Sequence, residues 1–311
     1  MYTKIICIKM TAKKNSRMGG TLNASVLFKP VKRRDFLKAI ALGVVGWGVA
    51  PNALARNLNF PSSTPAETTD DSIKDYINKM KYFNRYHKND ILVSREEYRI
   101  FESTLQRLKR LQWYMGHGYF QKLSFNGGIY IARKYSEVGQ FSRAELEFLE
   151  KIFYEDAANY GFYGQKPTKN LTERINKKDL VRDRSNGSYL YNGVPLETFK
   201  KIKRILGDNV VLTSGVRGIM KQFLLFLNKA HKYNGNLSLA SRSLAPPGYS
   251  FHGIGDFDVG QAGFGSANFT VRFTHSEVYK KLCELGYLKL RYPRENRLGV
   301  RFEPWHIKTI T

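Results

Sequence analysis

The stretch Pro246-Pro247-Gly248-Tyr249-Ser250-Phe251-His252-Gly253-Ile254-Gly255-Asp256-Phe257-Asp258-Val259-Gly260 restricts the fold more than any other part of the sequence. It sets one histidine and two aspartates among glycines. A straight strand rises about 3.3 Å per residue, which would put Asp258 roughly 20 Å from His252. Donor atoms that share one divalent metal ion lie only a few ångströms apart, because each bond is about 2 Å long. If these side chains share an ion, the chain must double back between them, and Gly253 and Gly255 permit that turn. Beyond it Phe257 and Val259 alternate with Asp256 and Asp258, as on a strand with one buried face. A second unusual segment, Glu303-Pro304-Trp305-His306, stands near the C-terminus.

The remaining histidines have no such setting. His87, His117 and His231 lie in helical or loop stretches with no acidic partner at ligand spacing, and are read as structural. His275, at the start of a helix, is read the same way, with a distant substrate contact as its alternative. Cys7 and Cys283 are the two cysteines, and Cys7 falls in a segment expected to be removed, so no internal disulfide is expected.

Residues 1–55 read as a leader. Lys32-Arg33-Arg34-Asp35-Phe36-Leu37-Lys38 is a twin-arginine pattern, Ala39 to Ala50 is uncharged, and Ala53-Leu54-Ala55 offers a small-x-small cleavage site. The uncharged run is too short for a bilayer, which needs about 20 apolar residues, so no transmembrane anchor is expected in the mature chain. The stretch before Arg33 is long for a leader, which makes Met18 an alternative start. The expected location is the periplasm or cell wall. Of the formal charge of +25, +16 remains once the leader's surplus of nine is removed. Such a surface suits anionic wall polymers or lipid head groups. The Lys and Arg are spread out and no basic run matches a nucleic-acid-binding motif, so nucleic acid is not an expected partner.

Hydrophobic residues at 42% and aromatics at 14% allow a sizeable core. Residues 56–71 read as a flexible, Pro-, Ser- and Thr-rich lead-in. A helical N-terminal region, 72–194, follows. Ser94-Arg95-Glu96-Glu97 opens a helix with apolar positions Tyr98, Phe101, Leu105, Leu108, Leu111 and Tyr114, ended by Gly116 and Gly118. Ser142-Arg143-Ala144-Glu145 opens another, through Leu146, Leu149, Phe153 and Ala157 to a stop near Gly161. Tyr189-Leu190-Tyr191 reads as a hairpin strand. The segment 195–311 reads as a small α+β domain with an antiparallel sheet: helix 195–205 stopped at Gly207, strand 210–213, helix 219–232, helix near 275–285, and strand-like pieces near 287–292 and 298–303. The fold class expected is α+β.

Taken together, residues 209–308 resemble the zinc D-alanyl-D-alanine carboxypeptidases of the VanY-like kind. That family shows Ser-x-His-x-x-Gly-x-Ala-x-Asp and then Glu-x-x-His, usually Glu-Pro-Trp-His. The resemblance implies Zn²⁺ as cofactor, with His252 and His306 as metal ligands and Glu303 as general base. The family's aspartate stands seven residues after the histidine, where this chain has Val259. The block is one residue short, so Asp258 is taken as third ligand and Asp256 is kept as the alternative, the other being a group that orients a histidine. Thr213-Ser214-Gly215-Val216-Arg217 resembles the family's Ser-Gly-Tyr-Arg segment, with Val216 in place of tyrosine. It implies that Arg217 faces the substrate and stabilises developing negative charge, against the alternative of a surface salt bridge. Ser250 either binds the substrate carboxylate or holds the turn. The implied activity is removal of the terminal D-alanine from peptidoglycan stem peptides. Two alternatives are a D,D-endopeptidase using the same site and a non-catalytic wall-binding module, for which an intact Glu303 would have no use.

Overall fold

A computed structural model of the chain describes residues 70–286 and 289–309. The expected leader, and the lead-in up to residue 69, lie outside the described residues. Eight α-helices are described: α1 Asp70–Lys81, α2 Arg95–Phe120, α3 Phe125–Lys134, α4 Arg143–Tyr154, α5 Val194–Leu206, α6 Ile219–Lys232, α7 Leu237–Ser241 and α8 Glu277–Glu284. The strands are β1 Leu180–Arg182, β2 Tyr189–Tyr191, β3 Val210–Ser214, β4 Phe257–Gln261 and β5 His306–Ile307. A helical N-terminal region thus precedes an α+β part, and no described helix is long and apolar enough to cross a membrane.

Local chemistry accounts for the helix starts. Ser94 accepts from the Glu97 N–H at the head of α2. At α4, Ser142 accepts from the Glu145 N–H while the Glu145 carboxylate accepts from the Ser142 N–H. Each bond satisfies a donor that the first helical turn leaves without an internal partner. Along α2, Phe101, Leu105, Leu108 and Leu111 form one stripe that is entirely buried. Each such side chain contributes about 1.5–3 kcal/mol of transfer free energy. The stripe packs with α3, α4, α6 and α7 into one core, so the helical region and the C-terminal part share that core.

Three local outcomes differ from expectation. The chain leaves helical geometry at Gly116 (φ 72°, ψ 152°), as the glycine signal implies, but a further turn continues to Phe120. Helix α3 was not expected, since Gly127-Gly128 argues against a helix on propensity. Tertiary packing overrides that penalty: a Cβ on Gly128 would come within 2.5 Å of Met220 on α6. Residues 298–303 do not form a strand. Gly299 sits at φ 73°, and a Cβ there would lie 1.8 Å from the Gly161 carbonyl oxygen, so this backbone is pressed against the 161–162 segment instead of a sheet edge.

The sheet that matters for function has the order β3-β4-β5, antiparallel throughout. Central β4 has Phe257 and Val259 buried in a second core with Leu190, Ile202, Leu212 and Trp305. Its register places Asp258 opposite both Ser214 on β3, past a bulge after Leu212, and His306 on β5. The elements around β4 therefore bring distant residues to one place. β1 and β2 form a separate antiparallel hairpin.

Candidate metal centre

The turn that the glycines permit is a single 3₁₀ turn, Phe251–Gly253. The Gly255 and Asp256 N–H groups both donate to the Phe251 carbonyl, which closes the doubling-back before β4 begins. His252, Asp258 and His306 converge at its mouth, each offering a ligand atom, all within 4.8 Å of one another. All three are buried.

Their hydrogen bonds leave the facing atoms free. His252 Nδ1 donates to the Gly215 carbonyl at 2.8 Å, which keeps the lone pair on Nε2. That Nε2 and Asp258 Oδ1 are 3.3 Å apart but out of hydrogen-bond geometry, and both are enclosed without a hydrogen-bond partner. Buried polar atoms are nearly always paired, so two such orphans facing each other fit a cation between them. On the third residue, His306 Nε2 meets Asp256 Oδ2 at 3.1 Å, and Nδ1 stands 3.5 Å from Asp258 Oδ1. Two imidazole nitrogens and one carboxylate oxygen form a donor set that suits zinc in a catalytic site, with a fourth position left for water.

Asp256 lies behind His306 and outside this group. Arg291 Nε donates to its Oδ2 at 2.7 Å, and the Thr309 N–H donates to Oδ1 at 3.0 Å. Burial alone would raise the Asp256 carboxyl, but His306 and Arg291 outweigh it and hold it far below the usual carboxylate range. Asp258 is held down in the same sense against its burial, by His252 and Arg217. His252 is lowered, first by burial and then by the Arg217 charge. Burial pulls His306 down as well, yet Asp256 and Glu303 prevail and push it up to about 9. The carboxylates around His306 thus demand positive charge at its position, which a proton or a divalent ion satisfies.

Glu303 stands beside the three, its Oε2 3.5 Å from His306 Nδ1. Arg217 donates through Nε to Ser214 Oγ at 2.9 Å and through Nη2 to Asp258 Oδ2 at 2.5 Å. Its salt bridge is therefore internal to the site, not at the surface. The three converging residues, Glu303, Arg217 and Ser250 line one cavity of about 240 Å³, which Lys229, Ser243, Tyr292 and Arg301 also line. His87, His117, His231 and His275 do not line it. Sequence reasoning missed the Gly215 carbonyl that orients His252, the Arg291 that holds Asp256, and the cationic wall of Lys229 and Arg301. None of these carries a spacing signal, since each is supplied by a separate element.

Comparisons with known proteins bear on the same segment. The family profile described as VanY, D-alanyl-D-alanine carboxypeptidase, matches residues 195–310. No curated protein matches the chain in sequence. Among solved structures, VanYB in complex with D-alanine-D-alanine is 23% identical over 48% of this chain and 85% of its own, with a TM-score of 0.38. A VanY mutant from a VanB-type resistance cassette, in complex with Zn(II), is 24% identical over 48% and 86%, at 0.37. The LdcB LD-carboxypeptidase, described in terms of peptidoglycan recognition, is 21% identical over 44% and 70%, at 0.37. The match to the VanY, D-alanyl-D-alanine carboxypeptidase profile thus falls on residues 195–310, the segment that holds the converging His252, Asp258 and His306.

Proposed function

We propose that the protein is an exported zinc D,D-carboxypeptidase that hydrolyses the terminal D-alanine from peptidoglycan stem peptides. The observation that carries this reading is the convergence of three ligand-competent atoms within 4.8 Å, beside a further carboxylate, Glu303, in one cavity. His252 Nε2, Asp258 and His306 Nδ1 would hold the zinc. When bound there, zinc supplies a Lewis acid and brings the pKa of water toward neutrality.

The chain's own residues do the rest. Glu303 takes the proton of the attacking water as it adds to the penultimate carbonyl carbon, and later returns it to the amine of the leaving D-alanine. Arg217, fixed by Ser214 and Asp258, presents its remaining guanidinium N–H groups toward charge developing on the carbonyl oxygen. Ser250, at the head of the 3₁₀ turn, offers a hydroxyl to the peptide. Asp256 holds His306 in place so that Nδ1 faces the site. The C–N bond breaks, and water is divided between the new carboxyl and the released amine.

Export by the twin-arginine route and action in the periplasm or wall rest on the leader pattern around Arg33-Arg34 and on the location of peptidoglycan. The residual charge of +16 favours residence near anionic envelope polymers. The direct test is mass spectrometry of wall fragments incubated with the mature protein, with and without a chelator. Loss of one D-alanine from pentapeptide stems, abolished by chelation, supports the reading; unchanged stems in both arms refute it.

A further inference from the structure

We propose that Arg301, with Ser243 and Lys229, forms the subsite that receives the free C-terminal carboxylate of the substrate and so confines cleavage to chain ends. The inference rests on the carboxypeptidase reading above and adds residues that neither the family motifs nor the metal cluster include.

Two enclosed donors of the cavity, Arg301 Nε and Ser243 Oγ, are without hydrogen-bond acceptors. Arg301 Nε is enclosed and has no hydrogen-bond partner, for Glu303 Oε1 is 3.7 Å away. The guanidinium is nonetheless held still. It lies over the Trp305 ring at 4.8 Å and the Phe83 ring at 5.1 Å, and Nη2 donates to the Phe269 carbonyl at 3.2 Å. Ser243 is 5% exposed, and its Oγ is likewise enclosed and unpartnered. Lys229 lines the same cavity; burial first, and then the like charge of Arg301, disfavour its ammonium. A buried donor without a partner costs about 1–3 kcal/mol, more if charged. Donors of this kind converging on one cavity call for an anion with several lone pairs, as a carboxylate has.

The reaction geometry selects which carboxylate. Glu303 must come within about 3 Å of the leaving nitrogen to return its proton. The carboxyl carbon of that D-alanine is two bonds away, roughly 2.5 Å from the nitrogen. The terminal carboxylate therefore falls in the neighbourhood of Glu303, which is where Arg301 stands. A peptide that continued past this residue would place a neutral amide there and leave the donors short of acceptors, which discriminates strongly against it.

The test uses the zinc-loaded chain in a Glu303→Gln background, so that ligand is not consumed. Binding of an acyl-D-alanyl-D-alanine with a free carboxylate is compared by calorimetry with binding of its C-terminal carboxamide. The parent is expected to prefer the acid by about ten- to hundredfold, as charge-assisted hydrogen bonds would give. Adding Arg301→Gln should bring the ratio near one, and Ser243→Ala, which removes a single hydroxyl, should lower it about threefold to tenfold. Zinc content and melting temperature establish that each variant is folded; if Arg301→Gln is not, the Ser243→Ala arm decides. An acid-to-amide ratio that no folded variant changes, or a parent that binds both equally, overturns the proposal. Separately, a protein with intact Glu303 that binds the acid selectively yet releases no D-alanine would refute the carboxypeptidase reading and leave this subsite standing.

Discussion

His306 is held from two sides by carboxylates: Asp256 Oδ2 lies 3.1 Å from Nε2, and Asp258 Oδ1 lies 3.5 Å from Nδ1. The two aspartates are two residues apart in the chain, yet one sits behind the ring and the other in front of it. The β4–β5 register, with Asp258 opposite His306, sets this difference. It separates their expected roles. Asp256→Asn should weaken zinc binding about 10- to 100-fold, the usual effect of losing a group that orients a ligand. Asp258→Asn should lose the ion under the same conditions. Competition against a chelating dye at fixed pH measures both, and equal losses would reverse or merge the assignment.

Glu303 and His306 should separate in the same way between chemistry and binding. Glu303→Gln is expected to lower kcat for D-alanine release by about 10²–10⁴-fold or more, with one zinc retained per chain by elemental analysis. His306→Ala should lose both zinc and turnover. A Glu303→Gln protein as active as the unmodified one would remove the general base from this account.

Zinc should also stabilise the fold, because its proposed ligands come from β4, β5 and the turn before them and meet only in the native state. At a free concentration of one hundred times Kd, the gain is about 2.7 kcal/mol. For a folded unit of this size that raises Tm by roughly 5–10 °C. Thermal scans with and without chelator read the shift, and His306→Ala should show none.

Much of this was legible in the sequence, for reasons that are themselves physical. The two serine N-caps and the apolar stripe Phe101-Leu105-Leu108-Leu111 are local signals, and the helices follow them. Pro195, Gly207 and the β-branched run at Val210 similarly bound elements where they are found. The convergence of His252 and Asp258 was legible because a glycine at 255, found at φ 149°, allows a turn that few other residues would tolerate. What was hidden depends on contacts between remote segments. Helix α3 exists because Gly128 admits Met220, and the irregular course of 298–303 follows from the approach of Gly299 to Gly161. Which aspartate faces His252 depends on strand register, and a two-residue slip would have exchanged them. Arg291, Arg301 and Lys229 reach the site from separate elements, and charge alone does not distinguish them from the many basic residues on the surface.

Away from the site, Glu145 links pH to stability. Arg107 Nε and Nη2 donate to its two oxygens at 2.8 and 3.2 Å, and the Ser142 N–H donates as well at 2.8 Å. Burial would raise this carboxyl, but the Arg107 and Ser142 bonds prevail and lower it. A depressed carboxyl stabilises the fold above its unfolded value, near 4.3, and that contribution is lost as pH falls through the lower folded value. Glu145→Ala should cost about 3 kcal/mol at neutral pH, as expected when one partner of a buried pair is removed. Its denaturation curves should also converge on those of the unmodified protein as pH drops below about 4. Urea titrations across pH 3–7 would show it, and parallel curves would mean that the pair contributes nothing.

Gly215 joins the sheet to the metal centre, and its substitution should affect both. A Cβ there would lie 2.0 Å from the Tyr189 carbonyl oxygen, the acceptor for the Val216 N–H at 2.7 Å. The Gly215 carbonyl is in turn the acceptor that fixes the His252 ring. An alanine must push β2 away or shift its own backbone, and overpacking of this kind typically costs about 1–3 kcal/mol. If the backbone shifts, the carbonyl moves off His252 Nδ1 and the ring is free to rotate, so Nε2 no longer faces Asp258 in a fixed position. Gly215→Ala is therefore expected to lower Tm and to weaken zinc binding together, although it removes no ligand. Gly299→Ala supplies the comparison: its clash is with the Gly161 carbonyl, which is not the acceptor of the His252 ring, so it should lower Tm while zinc affinity stays near that of the unmodified protein. Equal effects of the two variants on zinc affinity would mean that the fold as a whole, not the Gly215 carbonyl, holds His252 in register.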